Sequence, residues 1–549
     1  MIRFAVAQFE IGTDVAHNLA TCLRMIDTAA HVRPHVLVLP EFCNHLSWYR
    51  DRAHSYEVAV DLDGAFMRAI GERAKAHGMY IMVNCTVRRQ ADVVTGTNVL
   101  YDPQGAQIAV SDKQVLMGNE NNFLSIASAP CPIIPLPFAR VGMYSCMDGV
   151  IYETPRGLAV RGAQVLLNSL NSFALDEASL HVPVRASENK VFVVAANKVG
   201  WLVPSELAPM IAERVKVAPE QLHGGGESQI VAPDGTVLAK ATHHGEAVVY
   251  ADLDPTQADD KIRPDGTHIM ASRRPHLYSP IAQAPTHTPP APAPRTAHAV
   301  AWHAPDMAGL LAFLRDSTAD LIVLPELWGI DAHASHAEQV QQGEHLLKVL
   351  QGAIKGRTNL VLSVVEACEG GFAHTGVLLN VDGVCLRQRT LHACGRHAWA
   401  NVLADALATV DTPFGRLALM VGGDTIYPEA FRLAALARAH VVACPTRILE
   451  AWETRTGLPE RAAENRLNVC VADANGQSLI LAVGYDFTLW TTWETRPFDG
   501  NISAPIVAHS TGATHASAPI YPDAARNRMV SQKTDVVDSR PYALLDALL

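Results

Sequence analysis

The sequence predicts an α/β protein whose fold is written twice along one chain. Three observations carry this. Short signatures recur in the same order: VLVLPEF (36–42) returns as LIVLPEL (321–327), CMDGVIYE (146–153) as GGDTIYPE (422–429), and RASENKVFVVAAN (185–197) as RAAENRLNVCVAD (461–473). The last two pairs share an offset of 276 residues (422 less 146, 461 less 185), and the first is offset by 285 (326 less 41). One such match is weak, whereas several in one order indicate tandem homologous domains. Next, β-branched apolar runs alternate with helical stretches, the pattern of layered α/β packing. Finally, 549 residues exceed one ordinary domain and suit two α/β domains of about 250 residues each.

In the first copy the apolar runs predict strands at 3–9, 35–41, 79–87, 97–102, 140–146, 164–169, 191–197, 228–232 and 247–252. Helices are expected near 15–32, 63–77, 151–162 and 181–190. Asp102-Pro103-Gln104-Gly105 and Pro233-Asp234-Gly235 read as hairpin turns, because Pro and Gly set the turn dihedrals. QAPTHTPPAPAPRT (283–296) builds neither core nor ladder and reads as an extended linker. The expected division is therefore a domain at 1–282, the linker at 283–296 and a second domain at 297–549. RRPHLY (273–278) is echoed near the end of the chain by SRPYAL (539–544).

Composition narrows the function classes. Hydrophobic residues are 49% and charged residues 18%, with a formal net charge of -11. An acidic globular chain is a poor general binder of nucleic acid or anionic membrane. No apolar run approaches the ~20 residues that span a bilayer, and MIRFAVAQF reads as a strand rather than a leader. The expectation is a soluble, cytoplasmic protein. Its ten cysteines form no CxxC pair, so most are expected to be buried small hydrophobes.

Three residues stand where open α/β folds collect reactive groups, at strand ends: Glu41, Lys113 and Cys146. A thiol needs a base or a cation to become a nucleophile. A nearby glutamate can take its proton and later protonate a leaving amine, and a lysine can favour the thiolate and donate to a developing oxyanion. Together they suit amide hydrolysis. No metal or organic cofactor is required.

LVLPEF, DKxxL and CxDxxxxE, in that order over 1–280, resemble the nitrilase superfamily of carbon–nitrogen hydrolases. GESQIVAPDGTVLA (226–239) is also similar to a strand pair of that family. The resemblance implies a four-layer α-β-β-α sandwich for each copy. It implies Glu41 as general base, Lys113 as oxyanion stabiliser and Cys146 as nucleophile. The backbone N–H of Met147 would complete an oxyanion hole, and Glu120 stands where many members carry a second glutamate. The usual CYDxRFPE is here CMDGVIYE, and the histidine usual two residues after the lysine is here Val115. Cys146-Met147-Asp148 is similar to the amidase and carbamoylase branches, which carry Cys-x-Asp, rather than to the nitrilase-type Cys-Trp-Glu.

The expected reaction is thiol-dependent hydrolysis of a small amide or N-carbamoyl compound through an acyl-enzyme, releasing ammonia and an acid. The alternatives are a nitrilase acting on C≡N, acyl or amide transfer, and a non-catalytic binding protein. The small-molecule partner is thus an amide, ureide or nitrile. Met147, Asp148, Asn122, Asn171, Phe42 and Tyr49 are the candidate substrate contacts, with Trp48, Asn119, Phe123 and Phe173 nearby. Asp148 also suits a structural role, accepting backbone hydrogen bonds at the turn after the cysteine.

The second copy keeps Glu326 but has Gly422 at the cysteine position, and Arg389, within RQRTL (387–391), is taken to stand at the lysine position. It reads as a degenerate domain. Pairing of the two copies within one chain would stand in for the family's dimer, with further homo-oligomerisation open. His-x-Cys-x-x-His at 392–397 lacks a second ligand pair and is read as no zinc site.

Overall fold

The apolar runs become the strands of four six-stranded sheets. In this computed structural model, which describes residues 1–90, 92–510 and 514–549, the chain forms two compact units. The first consists of Met1–Asp260, Asp486–Ile502 and Met529–Leu548, the second of Lys261–Tyr485, Ser503–Arg528 and Leu549. The units do not follow the sequence halves. The segment holding SRPYAL folds in the unit built on the first repeat, and the segment holding RRPHLY in the unit built on the second.

In the first unit one sheet runs, edge to edge, Ala247–Leu253, Ile2–Gln8, Val36–Val38, Tyr80–Arg88, Val94–Tyr101 and Gln107–Asp112. The strands at 2–8, 36–38 and 80–88 are mutually parallel and the outer pairings antiparallel. Successive side chains of a strand face opposite ways. Ala5, Ala7, Leu37, Ile81 and Val83 pack on helices Val15–Ala30 and Ala65–His77, through Met25, Ile26, Met67 and Ile70. The first helix starts where Asp14 accepts from the N–H groups of Ala16 and His17, and the second ends at Gly78 with φ of 63°.

The other sheet runs Val237–Lys240, Gln229–Val231, Phe192–Ala196, Val165–Ser169, Ala139–Ser145 and Ile134–Leu136. It lies against the first sheet through the strands at 2–8 and 192–196, and carries helices Glu153–Val160 and Val182–Ser187 outside. The unit is thus helix, sheet, sheet, helix. Both expected hairpin turns form, with positive φ at Gly105 and Gly235. Helices Arg52–Val58 and Ala208–Val215 were not expected; each spans about two turns, too short for a clear period.

The second unit repeats this strand order. One sheet runs Gly383–Arg389, Gly371–Asn380, Asn359–Cys368, Leu321–Val323, Ala297–Trp302, His515–Ile520. The other runs Thr409–Thr412, Gly415–Leu419, Val441–Thr446, Asn468–Asp473, Leu479–Ala482, Ile506–His509. Among the described residues no helix is long and apolar enough to cross a membrane.

Candidate active site

Strand ends of the first unit bring Glu41, Lys113 and Cys146 to one place. Glu41 lies just past the short strand Val36–Val38, its N–H donating to Leu170 O at 3.1 Å. The next residue, Phe42, has a φ of 52°, costly for a side chain that is not glycine. Its N–H is held by Asn84 Oδ1 at 2.9 Å. Lys113 leaves the strand Gln107–Asp112 with its N–H on Gly96 O at 2.8 Å. Its Nζ stands 2.9 Å from Glu41 Oε1 and 2.8 Å from Glu120 Oε2. All three groups are buried, Glu41 and Lys113 completely. The Phe42 ring sits 5.3 Å from Nζ. A Cβ on Gly96 would come within 3.0 Å of that ring, so the position must stay bare.

Cys146 follows the strand Ala139–Ser145 at φ 46° and ψ -106°. Its N–H is tied to Ser169 O at 2.9 Å and Asn168 Oδ1 at 3.2 Å, fixing a strained turn that turns the thiol outward. Cys22, Cys43, Cys85 and Cys131 are buried, whereas Cys146 is part-exposed. Asp148 accepts from the N–H groups of Val115 (2.7 Å), Gln114 (3.0 Å) and Ser145 (3.2 Å). It therefore clamps the lysine loop to the cysteine turn.

Electrostatics follow from this burial. Desolvation lifts the Glu41 carboxyl to about 7, against the pull of Lys113. Burial also opposes the charge of Lys113, but Glu120 and Glu41 outweigh it and hold the ammonium well above its ordinary value. Burial and then the charge of Glu41 push the Cys146 thiol well up, and Lys113 opposes them. The resting arrangement is a thiol beside a carboxylate able to take its proton. A second cation escaped sequence reading. Lys198 is fully buried, its Nζ 3.4 Å from Phe42 O and brought down to about 8 by burial. Its counterpart by the 276 offset is Ala474, a contrast that could have flagged it.

Cys146 and Glu120 open into a cavity of about 380 Å³. Of the expected contacts, Tyr49, Asn122 and Asn171 line it, as do Trp48, Asn119, Phe123 and Phe173. Phe42, Met147 and Asp148 do not line it. The Phe42 ring covers the two lysines, Met147 is buried and Asp148 is spent on backbone N–H groups. Sequence reading missed Leu489, Trp490, Ser531 and Gln532, which complete the wall from segments of the chain's second half. Nothing in their spacing announces this.

The second unit has the same turn without its chemistry. Gly422 keeps a positive φ of 58°. The lysine position is corrected from Arg389 to Thr390, whose N–H donates to His374 O at 2.9 Å as Lys113 does to Gly96. Leu391 and His392 donate to Asp424 as Gln114 and Val115 do to Asp148. Arg389 pairs with Thr375 in the sheet and is exposed, because neighbouring strand residues face opposite ways. The cation on Glu326 is instead Arg396, forked at 3.1 and 2.8 Å, with His397 Nε2 at 2.7 Å. Despite burial, His397 and Arg396 hold the Glu326 carboxyl well below its ordinary range.

Donor atoms of Glu326, His374 and His397 lie within 4.8 Å of one another, a spacing that suits a metal ion. The guanidinium of Arg396 already neutralises that carboxylate, so a metal would have to displace it. A Cβ at Gly422 would stand 2.9 Å from Glu326 Oε2 and 3.1 Å from the His374 ring, so the nucleophile's place is filled. His392, Cys394 and His397 diverge to Asp424, Asp265 and Glu326. Trp399 and Trp452 belong to this second unit.

Residues 3–262 match the model of the carbon-nitrogen hydrolase family. A nitrilase of Pyrococcus abyssi is 28% identical over 262 residues, 48% of this chain and 92% of the relative. The human deaminated glutathione amidase is 25% identical over 294 residues, 50% of this chain and 83% of the relative. Among solved structures, an amidase from Nesterenkonia sp. AN1 superimposes with a TM-score of 0.42 at 20% identity, covering 50% of this chain and 95% of that one. The family match spans the segment that holds Glu41, Lys113 and Cys146, and with these relatives it supports the nitrilase superfamily for the first repeat.

Proposed function

We propose that the first unit is a thiol-dependent amidase, hydrolysing a small carboxamide or N-carbamoyl compound. The observation that carries this is the buried chain Glu41–Lys113–Glu120 set beside a strained, part-exposed cysteine that opens on a cavity. The relatives include both a nitrilase and an amidase, so the family alone does not choose between them. Glu41 takes the thiol proton as Cys146 Sγ attacks the carbonyl carbon. The Lys113 ammonium and the Met147 N–H stabilise the developing oxyanion. The C–N bond breaks as Glu41 passes its proton to the nitrogen, and ammonia leaves. Water, deprotonated by Glu41, then attacks the thioester, releasing the acid and returning the proton to Cys146. Glu120 holds Lys113 in place from 2.8 Å and lines the cavity with Cys146. The second unit, with Gly422 and Thr390, supports structure rather than turnover.

The test is ammonia release from a panel of carboxamides, ureides and nitriles by the full chain and by Cys146→Ala. Amide turnover abolished in the variant supports the reading. Undiminished turnover in the variant sinks it, and turnover of nitriles alone moves it to a nitrilase.

A further inference from the structure

The wall that the second half of the chain contributes to the cavity bears on what the cavity accepts. Trp490 lines it with a φ of 63°. A bulky residue in that region is an outlier that persists only where its surroundings over-determine it. Here they do. Leu489 N–H donates to Val530 O at 2.8 Å and Thr488 Oγ1 to Met529 O at 2.7 Å. The Asp486 carboxylate accepts from the N–H groups of Glu494, Thr495 and Arg496. Thr534 Oγ1 donates to Leu116 O at 2.9 Å, in the loop that carries Glu120. The wall is therefore rigid and referenced to the reacting groups.

Its chemistry is apolar and aromatic. The Trp490 ring meets Phe173 edge-on at 5.6 Å, and Trp48, Trp201 and Val203 pack in the same cluster. Trp48, Phe173 and Trp490 are part-exposed rings facing one concavity, where apolar area stays uncovered until a ligand arrives. Phe173 and Trp490 also continue into a smaller cleft of about 30 Å³ lined by Trp493 and Phe498. A one- or two-carbon acyl group would leave these rings in water.

We infer that Trp490 is a specificity-determining residue and that the substrate is a carboxamide whose acyl group carries an apolar ring. The inference rests on the amidase reading of Cys146. An arylalkyl amide such as 3-phenylpropionamide places its carbonyl at Cys146 and its ring against Trp490 and Phe173. Aromatic pairs of this kind contribute beyond the area they bury.

The experiment measures kcat/KM for 3-phenylpropionamide and for acetamide on the full chain, with Trp490→Ala and Trp490→Phe. The wild type should prefer the aryl amide, and Trp490→Ala should cut that preference about tenfold, mainly through KM, as expected for lost pocket contact. Trp490→Phe should restore most of it. An unchanged ratio in Trp490→Ala, or a wild type that prefers acetamide, overturns the inference. Calorimetric binding of 3-phenylpropionamide to Cys146→Ala, with and without Trp490→Ala, reads the wall without turnover. If the wild type hydrolyses no amide, the amidase reading fails, and this binding difference still decides the role of Trp490.

Discussion

Replacing Lys113 with methionine removes the one ammonium that two buried carboxylates share, at 2.9 and 2.8 Å. Methionine fills similar space, so the loss is chiefly electrostatic. Breaking a buried ion pair from one side costs about 3–5 kcal/mol, because an uncompensated charge is left behind. Glu41 can escape by binding a proton. Glu41 already lies at about 7, above its ordinary 4.5, with the lysine present, and it rises further without it. A carboxyl raised in the folded state holds more protons than its unfolded counterpart between the two values. Its stability is present at low pH and lost as pH rises through the folded value. The variant's thermal deficit should therefore be small at pH 5 and largest at pH 8.5. At pH 8, kcat/KM for an amide substrate should fall on the order of a hundredfold or more, the scale of losing an oxyanion donor. Melting followed by circular dichroism and ammonia release check the two halves. An equal deficit at both pH values, or activity within tenfold of wild type, would refute this reasoning.

Three more outcomes are expected. Because Glu41 must be ionised to take the thiol proton, kcat/KM should fall about tenfold per unit as pH drops below about 7; a rate constant from pH 8 to 5 would remove Glu41 from the base role. Arg396→Met strips the fork from Glu326 and should lower the melting transition by a cost of about 3–5 kcal/mol, with kcat at 25 °C retained. Gly422→Cys in a Cys146→Ala background should release no ammonia, since its Cβ meets Glu326 at 2.9 Å and Thr390 offers no ammonium; recovered turnover would count against the filled-site account.

Much of the site was legible because its residues sit on local signatures. Glu41, Lys113 and Cys146 each follow a strand whose apolar run is visible in the sequence, and a strand delivers its end residue to a defined place. Asp148 was legible in type but not in partner. Its three N–H donors come from two loops, and no spacing announces their meeting. Arg389 shows the sharper limit. A shift of one residue along a strand exchanges buried for exposed, so an alignment uncertain by one position put the wrong group beside Glu326.

The sequence by itself determined the repeated signatures, the α/β layers and the contrast between Cys146 in the first copy and Gly422 in the second, since all three are patterns of neighbours along the chain. Only the tertiary structure decided that Arg396 rather than Arg389 neutralises Glu326, that Lys198 joins the site, and that Trp490 and Ser531 wall the cavity beside Cys146. A buried charge takes whichever counter-charge the packing brings within reach, and a cavity takes its wall from whichever segment fills the space, so neither choice is written in sequence distance.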